Sequence, residues 1–137
     1  MWYSCIIKIK FLQENPLIYL ATNRLDENAK LRPIYFYFEE NDKPYFATAN
    51  TKIMYKELTS NPKCEIVVST PEFQWLRITG KVEFVDDIDL KQRIVDSNEV
   101  VESIYKTGDN PIFEAFTVSG KATLADLSGE PAKTYEL

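Results

Sequence analysis

Hydrophobic and polar positions alternate most cleanly between Gln74 and Val85, where Leu76, Ile78, Val82 and Phe84 share one side and Trp75, Arg77, Thr79, Lys81 and Glu83 the other. A period of two predicts a half-buried strand. Shorter apolar runs at Leu17 to Thr22 and Cys64 to Ser69 are rich in strand formers and predict two buried strands. Leu31 to Glu39 (LRPIYFYFE) is aromatic and β-rich, and Pro33 suits an edge strand or a strand start. Glu40 to Lys43 reads as a turn and Pro44 to Ala49 as the returning strand, so this region predicts a hairpin. Phe113 to Val118 and Lys121 to Leu127 predict two last strands around a turn at Ser119-Gly120. The tail from Ser128 has little pattern.

A helical period appears twice. Thr51, Met54, Tyr55 and Leu58 fall on one face of a helix capped by Asn50 or Thr51 and ended by Asn61-Pro62. A second helical stretch runs from about Ile88 to Tyr105, with a break near Asn98. Its cap is Asp86 or Asp87, and its buried positions are Leu90, Ile94, Val101 and Ile104. The first dozen residues fit two periods. Cys5, Ile7, Ile9 and Phe11 alternate as in a strand, whereas Cys5, Ile9 and Leu12 recur as in a helix. The sum is six or seven strands in two contiguous groups, each followed by a helix. That is not the alternation of a parallel sheet; a closed or partly closed antiparallel barrel fits better. At 137 residues the chain makes one domain, residues 1–137.

Composition narrows the function classes. A net charge of −5 with no basic block argues against a broad nucleic-acid face and a basic membrane anchor. The N-terminal apolar run, Cys5-Ile6-Ile7, stops at Lys8 and no later run nears the length of a span, so no membrane span or signal peptide is read and a cytoplasmic location is expected. The two cysteines, Cys5 and Cys64, lie in no motif and are expected as free thiols. With no histidine, a zinc or iron site of the usual kind is not expected, and histidine catalysis is excluded.

The residues with chemical potential cluster after the hairpin. Thr48, Asn50, Thr51 and Lys52 lie at a strand-to-helix junction, where free backbone N–H groups, hydroxyls and one ammonium favour an anion such as a phosphate monoester. An ordinary capped helix with a solvated lysine explains the same residues. Arg32, across the predicted hairpin, is positioned to join them or to be a surface arginine. Trp75 lies on the polar side of its strand and needs a ligand ring, a second subunit or a covering helix. Carboxylates form no recognisable acid–base pair, and hydroxyls and thiols have no histidine to activate them. The catalytic residues stay unassigned, and the pattern points to a bound cofactor that brings its own chemistry.

Three stretches carry a family likeness: LIYLAT, then LRPIYFYFEENDKPYFATANTKIMYKELTSNPKCEIVV, then WLRITGKVEFVDD. The later segment IYKTGDNPIFEAFTVSGKATLADLSGE continues it. In order and spacing the chain resembles the flavin mononucleotide (FMN)-binding split barrels related to pyridoxamine 5′-phosphate oxidase, especially the short bacterial, nitroimidazole-resistance-like members. The resemblance implies a six-stranded antiparallel split β-barrel with helices, including an N-terminal helix that decides the ambiguous first segment. It also implies a homodimer with two FMN sites at its interface. Arg32, Pro33, Ile34 and Tyr35 would lie along the flavin and ribityl chain, with Ala47 and Thr48 also in contact. Thr51 and Lys52, with Asn50, would surround the phosphate, and Tyr55 lies one turn further on. Trp75 would reach the flavin from the partner chain. The implied activity is FMN-dependent oxidoreduction of a small-molecule substrate; a non-catalytic binder of FMN, haem or a deazaflavin is the alternative. The chain lacks the oxidase's basic C-terminal motif and the histidine associated with nitroimidazole reduction.

Overall fold

A computed structural model of the protein describes residues 9–23, 25 and 28–136. A helix over residues 9–14 (α1) leads into strands β1 (Leu17–Asn23), β2 (Ala29–Tyr35), β3 (Phe38–Glu40) and β4 (Lys43–Ala49). Helix α2 (Ile53–Ser60) follows, then β5 (Lys63–Ser69) and β6 (Trp75–Val85). Helices α3 (Ile88–Ser97) and α4 (Glu99–Tyr105) precede β7 (Phe113–Ala125) and β8 (Lys133–Glu136). Residues 1–8, where the strand-or-helix ambiguity begins, lie outside the described part.

The sheet is antiparallel throughout, in the order β2-β1-β5-β6-β7-β4-β3, with β8 also on β7. Two long strands make it curl. β6 pairs with β7 along its whole length but with β5 only from Trp75 to Lys81. β7 holds β4 on its Phe113–Thr117 half and β8 on its Lys121–Leu124 half. The curled sheet brings β2 beside β4 without ladder pairing between them, which leaves a seam. This is the split barrel that the resemblance implied.

The inward positions of the strands meet in one core that includes Ile18, Leu20, Phe46, Ile66, Leu76, Ile78 and Phe116. Helix α2 closes one end of it with Met54 and Leu58, and α1 adds Leu12. A second cluster sits on the other face of β4 and β7, where Tyr45, Ala49, Phe113 and Ala115 pack against Leu90, Ile94, Val95, Val101 and Tyr105 of α3 and α4. Such burial of period-2 and period-3.6 faces is the main stabilising term.

Four expectations need correction. Leu31 to Glu39 is not one strand. The chain breaks at Phe36, whose N–H donates to the Pro16 carbonyl (2.9 Å) while its ring enters the core. β2 therefore pairs with β1, setting Leu17 opposite Tyr35 and Leu20 opposite Arg32, and only β3 forms a hairpin with β4. That turn uses Asn41 and Asp42 at φ 52° and 63°, a left-handed pair that suits Asn and Asp. Second, Ser119-Gly120 is no turn, because β7 runs straight through it. Third, α2 starts one or two residues later than expected: its cap is Lys52 rather than Asn50 or Thr51, with no side-chain capping bond. Fourth, Ile104 is exposed while Val101 and Tyr105 are buried, because α4 restarts at Asn98 in a new phase. Asn98 caps it, accepting from the Val100 and Val101 N–H groups. Asp87 caps α3 through the Leu90 N–H. The unpatterned tail supplies β8.

No helix among the described residues is long and apolar enough to cross a membrane.

Candidate functional site

The seam between β2 and β4 opens into a cleft of about 530 Å³ under the first turn of α2. That volume lies in the range of roughly 300–1,000 Å³ usual for cofactor pockets. Its walls are Leu17, Arg32, Pro33, Ile34, Tyr35, Tyr37, Ala47, Thr48, Lys52, Ile53 and Met54. Each wall has a structural origin. β2 pairs only with β1, so its other backbone edge faces the cleft with unspent hydrogen-bonding groups. β4 turns Phe46 and Thr48 inward, toward the barrel end that Met54 covers. In the first turn of α2 the Tyr55 N–H donates to the Lys52 carbonyl (3.1 Å), and no side chain of the cap Lys52 takes the N–H groups of Ile53 and Met54.

Two polar groups in this cleft are unspent. Thr48 is 1% exposed, and its Oγ1 has no hydrogen-bond partner among the described residues. A buried hydroxyl left unpaired costs about 1–3 kcal/mol, and Thr48 stands in the cleft wall. Lys52, exposed at the helix start, forms no ion pair among the described residues. Arg32 is different. Its Nη2 donates to Glu57 Oε1 at 2.6 Å and its Nη1 to Thr22 Oγ1 at 2.9 Å. Tyr35 and Tyr37 form the far wall, ring centroids 5.1 Å apart. Burial, and then the neighbouring Tyr35, hold the Tyr37 phenol above its ordinary pKa.

Seven of the sequence-predicted residues thus meet in one cleft: Arg32, Pro33, Ile34, Tyr35, Ala47, Thr48 and Lys52. Four do not line it. Asn50 donates through Nδ2 to the Pro111 carbonyl (2.8 Å) and to Glu114 Oε1 (3.1 Å), tying the α2 junction to the start of β7. Thr51 is exposed beside Lys52. Tyr55 packs edge-on against Phe84, centroids 4.9 Å apart. Trp75 is half-buried at the start of β6, opposite Ser69 and Ala125. Sequence reasoning missed Leu17, Tyr37, Ile53 and Met54 as walls, and Glu57 and Thr22 as partners of Arg32. The β1–β2 register would have revealed Leu17. Glu57 carried a signal too, since it sits three residues from Met54 on the buried helical face.

The sequence pattern of the pyridoxamine 5′-phosphate oxidase family matches residues 9–119. The chain belongs to the pyridoxamine 5′-phosphate oxidase family. Among solved structures, a NimC/NimA family protein from Clostridium acetobutylicum is 31% identical, with a TM-score of 0.87 over 97% of this chain and 92% of that one. A pyridoxamine 5′-phosphate oxidase-related, FMN-binding protein from Nostoc punctiforme shares the fold at 16% identity and a TM-score of 0.67, covering 96% and 85% of the two chains. A heme-binding protein from Mycobacterium smegmatis also shares it, at 12% identity and a TM-score of 0.73, over 90% of this chain and 54% of that one. No curated protein sequence matches the chain. Family members of one fold therefore include an FMN binder, and the same barrel elsewhere carries haem. Among the described residues, no cluster of histidine, cysteine or carboxylate side chains is arranged to hold a metal ion.

Proposed function

We propose that this protein is a homodimeric flavoprotein that binds FMN in the β2–β4 cleft and serves as an oxidoreductase for a small-molecule substrate. The observation that carries the reading is the donor set of the cleft. An unspent buried hydroxyl, an unpaired ammonium and an uncapped helix start sit beside apolar walls and a free strand edge. A phosphate monoester suits Lys52 and the first turn of α2, with Thr51 adjacent. A flat ring with hydrogen-bonding edges suits the β2 backbone from Arg32 to Tyr35 and the apolar surfaces of Leu17, Ile34 and Ile53. Thr48 then donates to, or accepts from, the same ligand. When bound, FMN supplies redox chemistry that no side chain here provides. The protein's part is to hold the ring, to exclude water with Tyr35 and Tyr37, and to counter the phosphate charge.

The dimer reading rests on an exposed apolar sheet face. Leu17, Tyr19, Leu31 and Tyr35 are 55%, 41%, 64% and 42% exposed, and all occupy the outward positions of β1 and β2. A contiguous apolar face of this kind marks a protein–protein contact. It continues across Val67 of β5 toward Trp75, which would then approach the partner's cleft. Sedimentation at micromolar concentration tests it. The expected species is a dimer, and Tyr19→Glu with Leu31→Lys should give a monomer that binds FMN weakly. A monomeric native protein contradicts the reading.

For the cofactor, Lys52→Ala should weaken FMN binding by about 10-fold or more, the size of one lost charged contact, and leave riboflavin binding almost unchanged. Equal affinity for FMN before and after the substitution would overturn the site assignment. A binder without turnover shares this site, and the lack of an acid–base pair in the cleft favours it. Bound FMN that is not reduced by NADH or NADPH under anaerobic conditions would support that second reading.

A further inference from the structure

Glu57 is the most deeply buried carboxylate among the described residues, at 1% exposure, and the cleft chemistry above makes no use of it. It lies on the inner face of α2 with Met54 and Leu58. Removing a carboxylate from water costs several kcal/mol unless it is paired. Here the pairing is a closed ring. Arg32 Nη2 donates to Glu57 Oε1 at 2.6 Å, Arg32 Nη1 donates to Thr22 Oγ1 at 2.9 Å, and Thr22 Oγ1 donates to the same Glu57 oxygen at 3.2 Å. Three elements, β1, β2 and α2, thus contribute one member each.

A ring of this kind adds little net stability over well-packed apolar residues of similar size. What it does achieve is orientation. Two nitrogens of the guanidinium are held from two directions, which turns the Arg32 side chain toward α2 rather than out into solvent. A guanidinium has five N–H donors, and the ring uses two of them. The remainder belong to a side chain that lines the cleft. Lys52 lies five residues before Glu57 on the same helix, about 7 Å along its axis. Arg32, held by Glu57 in the second turn of α2, and Lys52, the N-cap of that helix, both line the same cleft.

We infer that Glu57, with Thr22, is a positioning residue: it locks Arg32 so that its spare N–H groups present to the phosphate of a cofactor seated at the start of α2. The inference rests on the FMN reading above. It makes Arg32 a fixed donor and Lys52 a mobile one. It also makes the discrimination between a phosphorylated and an unphosphorylated flavin depend on a carboxylate that never meets the ligand.

The test compares FMN with riboflavin, which differ by the phosphate alone, in equilibrium titrations of the full chain. Glu57→Gln keeps the shape and an acceptor oxygen but removes the charge that fixes Arg32. The ratio of FMN to riboflavin affinity should fall about 10-fold, the size of one charged hydrogen bond. Thr22→Val, a milder change, should lower the same ratio by a smaller factor, and covers the case in which Glu57→Gln fails to fold. Arg32→Lys should lower it as far as Glu57→Gln does. A purely structural strut predicts that both affinities move together and the ratio stays constant; that result, or a rise in the ratio, overturns the inference while leaving FMN binding intact. An unaltered protein that binds no FMN overturns the underlying reading as well.

Discussion

Gly80 and Gly120 face each other across the β6–β7 ladder, and their backbones approach too closely for any side chain. A Cβ on Gly80 would lie 1.9 Å from the Ser119 carbonyl oxygen, and one on Gly120 would lie 2.2 Å from that of Thr79. Gly120 also holds φ at 149°, which L side chains rarely adopt. This pair lets the two long strands cross closely at the point where β7 changes partner from β4 to β8. Gly120→Ala should cost on the order of 2–5 kcal/mol by overpacking and backbone strain together. Urea unfolding measures it, and an unchanged midpoint would rule out the close crossing.

Thr48→Val tests the orphaned hydroxyl. Replacing a buried, unpaired Oγ1 by a methyl of similar size should stabilise the ligand-free protein by about 1–3 kcal/mol. The same change should weaken FMN binding about 5- to 10-fold, since the hydroxyl's partner is then the ligand. Thermal melts with and without FMN report both effects. A destabilised ligand-free variant would mean that Thr48 already has its partner within the protein.

The Arg32–Glu57 pair makes a prediction about stability alone. Either Arg32→Met or Glu57→Leu leaves a charge buried without its counterion and should cost about 3–5 kcal/mol. The double variant should be markedly more stable than either single one, because it buries no unmatched charge. A double-mutant cycle reads the coupling. Additive losses would show that the pair is not coupled in solution.

Burial pushes the Cys64 thiol up to about 12, with Glu65 adding to the effect. Burial also raises the Tyr37, Tyr45 and Tyr105 phenols. Below about pH 8 these groups keep their protons in both folded and unfolded states, so they contribute almost no pH dependence. Above it the unfolded chain loses protons first. Stability should therefore fall steadily as pH rises from about 8 toward 12, and Cys64→Ala should delay the onset of that fall. A melting temperature flat between pH 8 and 11 would contradict this. In a Cys5→Ser background, Cys64 should also resist alkylation at pH 8 until the protein is unfolded.

Much of the barrel was legible because most strands bury one face. The alternation from Leu76 to Phe84 and the runs at Leu17 and Cys64 gave three strands close to their observed ends. The failures have a common cause: local pattern does not encode which neighbour a strand selects. The LRPIYFYFE stretch is uniformly β-forming, so nothing in it shows that Phe36 enters the core and ends β2, or that β2 belongs to β1. Ser119-Gly120 has the chemistry of a turn, and only the opposing Gly80 explains a glycine within a continuous strand. At the site, the strand-to-helix junction and the walls from Arg32 to Lys52 were readable. Asn50 was not, because its partners Pro111 and Glu114 are some sixty positions away. Glu57 looked like one more polar residue of a short helix, and its role appears only when β2 brings Arg32 to it.

The function proposed for this protein requires that the β2–β4 cleft bind FMN. Its most direct test is a titration of the purified protein, freed of any bound flavin, with FMN, followed by quenching of flavin fluorescence and by the visible absorption spectrum. We expect saturable binding of one FMN per chain, weakened about 10-fold or more by Lys52→Ala and competed only weakly by riboflavin. No saturable FMN binding, or a protein that instead takes up haem at the same stoichiometry, would contradict it.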